Sequence, residues 1–456
     1  MGGLDAPAPG SAPGWICGVS IMPEASASKF QNRLQNFSRP ILVPRHAEQG
    51  HAQLAVSVVG ENPANAQRTL SASSAAQQPD WRHPMTDNKT VTSRRGMIKG
   101  AAVAAGAMSV PMIATAQTTT LRFQSTWPSK DIFHEYAQDF AKKVNDMAGG
   151  RLKIEVLPAG AVVPAFQLLE AVAKGTLDGG HGVVAYHYGK NSALALWGSG
   201  PAYGMDPNMV LAWHNYGGGK ALLEEIYASL NLDVASYLYG PMPTQPLGWF
   251  KKPVAKVADM KGLKFRTVGL AVDVFTKMGT AVNPLPGGEI VPALDRGLID
   301  AAEFNNASSD RVLGFPDVAK NCMLQSFHQS GEQFEILFNK TKLNALPAEV
   351  KAIVDYAVQA ASADMSWKAI QRNSQDYIEL KKAGVKFYKT PDPILRAQLE
   401  AWDQTIAEKA KTNPIFQKVL DSQKAFAQRA GQWQNDYLVD FKMAYNHYFG
   451  KGAKKS

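Results

Sequence analysis

The alternation of apolar and polar positions becomes regular at Thr119 and stays so almost to the C-terminus. Thr119-Leu-Arg-Phe-Gln-Ser-Thr-Trp127 alternates as a strand. The apolar positions that follow, Phe133, Tyr136, Phe140, Val144 and Met147, recur at helical spacing and predict one buried face. Gly149-Gly150 stops that helix. A strand with Leu152, Ile154 and Val156 on one side comes next, then a helix from about Pro164 to Lys174 and a short strand near His181 to Val184. Strand-helix-strand-helix order predicts an α/β fold with a parallel sheet wrapped by helices. Helical spacing returns from Met209 to Leu230, and strand patterns at Val234–Tyr239, Gln245–Lys251 and Phe334–Asn339. Helix formers then fill Pro347–Lys382 and Pro393–Phe449, interrupted at Val385–Tyr388 and Asn413-Pro414. The last run, from about Ile415 to Tyr448, is longer than an ordinary globular helix. A helix of that length packs on another subunit or straddles two lobes.

One internal echo sharpens the architecture. Ala171–Asp178 and Ala293–Asp300 share an AxxxGxxD pattern, each closing an apolar helix ahead of a short apolar strand. Glycine serves as the helix C-cap in both. The spacing is far too wide for a solenoid repeat and suits two similar α/β lobes.

Before Thr119 the pattern has a different character. Arg94 and Arg95 stand in an SRRxxxK frame, followed by an uncharged Ala/Gly-rich run and a small-x-small site at Ala114-Thr115-Ala116. These features, in this order, predict a twin-arginine signal peptide over 85–116, cleaved to leave Gln117 first. Its apolar run is too short and mild for a permanent span. Residues 1–84, rich in Pro, Ala, Ser and Gln without periodicity, read as a disordered leader or a start-site error, with Met85 as the initiator.

Setting those 116 residues aside changes the charge. They carry 10 of the 48 Lys/Arg and 6 of the 39 Asp/Glu, so the net charge falls from +9 to +5. No basic stripe with interleaved aromatics accompanies it, and nucleic acid is not implied. Cys17 falls within the leader, which leaves Cys322 as a small buried apolar residue with no partner for a disulfide.

Catalytic signatures are lacking: the chain has no HExxH, no GxSxG, no CxxCH and no paired-Cys metal site. Gly217-Gly218-Gly219-Lys220 lacks the first Gly and the Ser/Thr of a phosphate loop and reads as a plain turn. His181, His187 and His328 are scattered and read as structural.

At GLKFRTVG, LPGGEIVPALDRGLIDAAEF and TQPLGWFKKP the chain resembles the extracytoplasmic solute receptors, of the DctP type, that serve TRAP (tripartite ATP-independent periplasmic) transporters. It is most similar to the branch binding 2-oxo and 2-hydroxy carboxylates with a metal ion, and the similarity runs from Thr119 to about Phe449. The resemblance implies a two-lobed periplasmic binding protein with a hinged cleft, crossing strands and long C-terminal helices. Lobe I is expected over 117–245 plus about 330–410, lobe II over 246–329, and a long helix with its tail over 411–456. Arg266 matches the family's carboxylate-gripping arginine, a role suited to a planar, permanently charged guanidinium. Gln245 matches a glutamine touching both metal and substrate, and Glu303 a carboxylate metal ligand.

Two departures stand out. Phe304, followed by Asn305-Asn306, replaces a common Trp at the pocket edge, and Gln329 stands where a second acidic ligand is expected, with Glu332 as a displaced alternative. Trp127, Tyr186 and Tyr188 are candidate walls. The implied partners are a small monocarboxylate, a bridging Na⁺ or Ca²⁺, the TRAP permease subunits in the membrane and a second copy of the chain as a homodimer. A periplasmic enzyme exported folded, or a binding module feeding a sensor, are the competing readings.

Overall fold

The computed structural model describes residues 118–450. The leader, the twin-arginine segment, the cleavage site and Cys17 lie outside the described residues. Two sheets organise the rest. The first holds β1 (Thr119–Ser125), β2 (Leu152–Leu157), β3 (Gly179–Gly182), β4 (Val234–Pro241) and β10 (Gln333–Asn339) in the order β2-β1-β3-β10-β4. The second holds β5 (Gly248–Phe250), β6 (Lys264–Arg266), β7 (Ala281–Val282), β8 (Ala301–Ala302), β9 (Asn321–Leu324) and β11 (Lys386–Lys389) in the order β11-β9-β5-β8-β6-β7. In each sheet a single strand runs against all the others, β10 in the first and β5 in the second. The wholly parallel sheet read from local rhythm is thus mixed, because β5 and β10 enter from the opposite lobe.

The echoed motif explains the likeness of the lobes. Gly175 follows α2 (Leu168–Ala173) and Gly297 follows α6 (Gly287–Asp295), both at φ 72°, which turns the chain sharply into the next strand. Asp178 then donates its backbone N–H to Arg122 O, and its carboxylate accepts the Arg122 N–H. Asp300 repeats both bonds with Lys264, at 2.7 and 3.1 Å. Each aspartate ties the entry to its own strand to the parallel neighbour, β3 to β1 and β8 to β6.

α1 (Ile132–Ala148) buries Phe133, Tyr136, Phe140 and Val144 as the pattern requires, and Gly149 at φ 55° ends it. Met147, expected on the same face, is 43% exposed, although Ala148 beside it is buried. α3 (Pro207–Tyr216) and α4 (Gly219–Ser229) cover the first lobe, joined by the turn at Gly217-Gly218. α5 (Ala271–Lys277) and α7 (Ala307–Leu313) belong to the second. Cys322 is buried in β9.

The 35-residue helix Ala348–Lys382 joins the lobes. Its Asp364, Lys368 and Arg372 pair with Lys143, Asp139 and Glu135 of α1, whereas Asn373 and Asp376 bind Ser308 and Arg311 of α7. The spanning helix is therefore this one, not the C-terminal run. The stretch expected to stay in lobe I to about 410 leaves it earlier, since β11 pairs with β9 of the second sheet. The Asp392–Thr412 helix packs on α5, with Lys277–Glu408 and Asp273–Lys409 ion pairs. The chain then returns to the first lobe at Asn413, whose side chain donates to Asn191 and Ser192. The Pro414–Tyr437 helix packs there through Ser422 on Trp213 and Gln423 on Leu196. The single long helix expected to Tyr448 is two. It breaks at Leu438–Val439, and Asp440 caps a separate terminal helix, Phe441–Phe449.

Candidate functional site

The sites facing each other across the lobes grow from equivalent positions of the two sheets. Phe123 pairs with Gly179 and Phe265 with Ala301, so Arg266 occupies in the second lobe the place of Gln124 in the first, and Glu303 that of His181. Both members of the first pair fasten the loop beyond the neighbouring strand. Gln124 Nε2 donates to Val163 O, and Arg266 Nε donates to Leu285 O at 2.8 Å. A glutamine is exhausted by that job, because its Oε1 also takes two backbone N–H groups. The guanidinium has donors to spare. Nη1 donates to Glu303 Oε1 at 2.7 Å, and Nη2 has no hydrogen-bond partner among the described residues.

Around this arginine the structure gathers Gln245, Glu303, Phe304, Asn305, Gln329, Glu332, Trp127 and Tyr186 about one cavity of roughly 20 Å³. That volume suits one water or one small ion, so an organic acid requires the lobes to part slightly. Arg266, Glu303 and Gln329 are each only 1% exposed. Glu332 accepts from Gln245 Nε2 at 3.1 Å and from Gln329 Nε2 at 3.2 Å, which turns both amide oxygens inward. Gly198 makes room for it: a Cβ there would lie 2.8 Å from Glu332 Oε1. Burial pushes Glu303 up to about 7, against the pull of Arg266. Burial, then the nearby Glu303 charge, pushes Glu332 up to about 8.

Four buried atoms here lack hydrogen-bond partners among the described residues: Arg266 Nη2, Glu303 Oε2, Gln245 Oε1 and Gln329 Oε1. One is a charged donor and three are oxygens. A carboxylate suits the first, and a hard cation, which takes oxygen ligands, suits the others. The donor set therefore fits an ion such as Na⁺ or Ca²⁺. Among the described residues no three His, Cys, Asp or Glu cluster into a richer metal site.

Apolar walls complete the cavity. Trp127 is held by Nε1 donating to His181 Nδ1 at 2.8 Å, and its ring meets Tyr186 at 5.7 Å between centroids. Phe304 lies under the Arg266 guanidinium at 5.9 Å and packs against Gly287, where a Cβ would come within 2.7 Å of the ring. Asn305 Nδ2 donates to Met242 Sδ. Met242, Val183 and Val268, which the sequence did not single out, also line the cavity, as does Phe133, read there only as part of a buried helix face. Only the pairing of equivalent strands could have flagged Val183, which takes the place of Asn305. Tyr188 does not reach the cavity. The tight turn Val184–His187 sends it outward, where its hydroxyl donates to Asp273 and accepts from Lys409. His181 stands behind Trp127 and bonds Tyr239, His187 bonds the buried Glu335, and His328 bonds Ser326, all inside the packing.

Two lobes meeting at a small enclosed cavity with a spare guanidinium arm are the arrangement of a solute-binding protein. Comparison with known proteins makes the class specific. The profile of bacterial extracellular solute-binding protein family 7, DctP, matches residues 123–413. The chain belongs to that family and is a periplasmic solute receptor, not an enzyme. It is 33% identical over 349 residues to a monocarboxylate 2-oxoacid-binding periplasmic protein of Nostoc, covering 75% of this chain and 95% of the relative. A TRAP transporter solute-binding protein of Bordetella bronchiseptica superposes with TM-score 0.69 at 28% identity, over 74% of this chain and 99% of that one. It is a mixed-occupancy dimer with copurified calcium and picolinate at its active site. A receptor of Pseudoalteromonas atlantica, with bound sodium and pyruvate, gives TM-score 0.67 at 29% identity, over 73% of this chain and 99% of that one. Among the described residues no helix is long and apolar enough to cross a membrane.

Proposed function

We propose that the protein captures a small 2-oxo monocarboxylate of the pyruvate class together with a cation, for uptake by a TRAP permease. The observation that carries this is the juxtaposition of Arg266 Nη2 with three inward-facing oxygens, all without partners, in one enclosed cavity. Arg266 pairs with the ligand carboxylate. Glu303, Gln245 and Gln329 hold the cation, which supplies positive charge to a second ligand oxygen. Charge favours this arrangement. Two glutamates and a monoanion outweigh one guanidinium by two charges, and a buried excess of that kind is costly. Calcium balances it with both glutamates ionised, and sodium balances it with one of them protonated. Trp127, Tyr186 and Phe304 exclude water and limit the length of the substituent on the 2-oxo carbon.

Thermal denaturation of the mature chain with pyruvate, with and without a chelator and added Ca²⁺ or Na⁺, tests the reading. Ligand at a hundred times its dissociation constant stabilises by about 2.7 kcal/mol. A shift that needs both ion and acid supports the proposal, and no shift with any 2-oxo acid sinks it. The same reading includes export by the twin-arginine route. N-terminal sequencing of the periplasmic protein should then begin at Gln117. A homodimer is also part of it, supported by the uncovered apolar terminal helix and by the dimeric Bordetella receptor.

A further inference from the structure

Tyr188 lies two residues beyond Tyr186 on the same turn, yet the two side chains part company. Tyr186 faces the ligand cavity, and Tyr188 reaches across to the second lobe. Its hydroxyl donates to Asp273 Oδ2 at 2.6 Å and accepts from Lys409 Nζ at 2.7 Å, while Lys409 and Asp273 pair at 2.9 Å. The three bonds form a closed ring. Asp273 sits on α5 and Lys409 on the helix packed against it, so the ion pair is a second-lobe feature and only the phenol brings the first lobe to it. A groove of about 310 Å³, bordered by Tyr186, Tyr188, Val268 and Val272, runs beside the ring, and Tyr186 and Val268 belong to the cavity wall as well. Leu270 N–H, one turn before Asp273, donates to Ser199 Oγ of the first lobe at 3.1 Å. The segment 268–273 thus meets the first lobe at three successive points: the cavity wall, Ser199 and the phenol.

We infer that the Tyr188–Asp273–Lys409 ring is a closure latch, with Tyr188 a positioning residue that sets ligand affinity from outside the cavity. The inference rests on the receptor reading. All three side chains are partly exposed, which lets the ring form and break without unfolding either lobe. Opening the lobes separates the phenol from a charge pair that stays intact and solvated, so the latch resets at little cost. Its contribution is a hydrogen bond to charged partners, reduced by that exposure. Because Tyr186 and Tyr188 share one short turn, a ligand that fixes the first ring also orders the second.

Tyr188→Phe keeps the ring and its packing and deletes both bonds. Pyruvate with Ca²⁺ should bind this variant about tenfold more weakly than wild type. The loss should fall in the dissociation rate, with the rank order of 2-oxo acids and the ion requirement unchanged. Amide exchange over 267–273, measured without ligand, should quicken, while the melting temperature of the ligand-free protein stays put. Glu408→Gln is the control, since its partner Lys277 lies on the same lobe, and it should leave affinity and exchange as they are. Equal affinity and equal exchange in Tyr188→Phe and wild type would overturn the latch. If wild type binds no 2-oxo acid, the ligand reading fails, and the exchange comparison still decides the latch.

Discussion

Arg266 has more donors than its own lobe can use, and the proposed grip on a carboxylate rests on that surplus. Arg266→Ala leaves Glu303 buried without its partner and removes the ligand's, so pyruvate affinity should fall by more than about a hundredfold, on the order of 3 kcal/mol, in calorimetric titration. Arg266→Lys should recover only part of this, because an ammonium cannot bond Leu285, Glu303 and the ligand in one plane. Gly198→Ala tests the acid behind the amides. Gly198 sits at φ −157° and ψ −34°, and in the variant the new Cβ meets Glu332. Overpacking of this kind costs about 1–3 kcal/mol, and weakened ion dependence with little change in the apolar-substituent preference is the expected result. At this scale the sequence was readable where a residue belongs to a motif. LKFR and DAAEF supplied Arg266 and Glu303, and their salt bridge of 2.7 Å brings those distant segments together. It was unreadable where a single turn decides direction. Tyr186 and Tyr188 look alike along the chain, and the tight turn points one inward and the other at Asp273. Glu332 reads as a displaced ligand, and in the fold its carboxylate also accepts from the two amides of Gln245 and Gln329.

The elements that bring the lobes together carry their own pH dependence. Asp131, the N-cap of α1 in the first lobe, accepts from Ser309 Oγ of α7 in the second at 2.7 Å. Asp310, next on α7, accepts from Trp249 Nε1 and Asn305 N. Burial pushes both carboxyls up to about 7, with Ser309 opposing it at Asp131 and Trp249 at Asp310, and the Asp131 charge adds to the rise of Asp310. Raised carboxyls mean that the folded, closed state binds more protons than the unfolded chain between the ordinary range near 4 and about 7. The stability they contribute is complete below that range and is lost as pH rises through about 7. Melting temperature measured from pH 5 to 8 should therefore fall with a slope that Asp310→Asn flattens. An unchanged slope in that variant would assign the dependence elsewhere. The AxxxGxxD echo, by contrast, is a purely structural device. Asp300→Ala should cost about 1 kcal/mol in denaturant unfolding, one backbone bond's worth, without touching affinity. That echo was visible in sequence because glycine at positive φ and an aspartate at fixed spacing are local requirements. Crossing strands are not local: nothing in Gly248–Phe250 says that it pairs with β8 and β9, and the one antiparallel strand of each sheet, β10 or β5, went unread as such. The break at Leu438–Val439 escaped for a related reason, since apolar spacing continues across it and only the Asp440 cap marks the new start.

For the molecule as a whole, the terminal helix poses the remaining physical question. Phe441–Phe449 has no buried residue, and Phe441, Met443, Tyr445, Tyr448 and Phe449 are each more than 60% exposed. Trp433, Tyr437, Leu438 and Val439 extend the same uncovered surface along the preceding helix. Soluble monomers rarely leave so much contiguous apolar surface in water. Among the described residues the arm has no neighbour to cover it, since the preceding helix is already fixed to the first lobe by Trp213, Leu196 and, near its end, Asp206. A second copy offers the same arm and the same lobe surfaces related by a two-fold axis, which closes the assembly at a dimer. Light scattering at micromolar concentration should give twice the chain mass for residues 117–456, and a chain ending at Leu438 should run as a monomer. The arm lies far along the chain from every residue of the cavity and bonds none of them, so the shortened receptor should bind pyruvate with its affinity per chain unchanged. A full-length monomer would leave the apolar arm needing a different partner. A shortened chain that stays dimeric would place the interface elsewhere on the lobes.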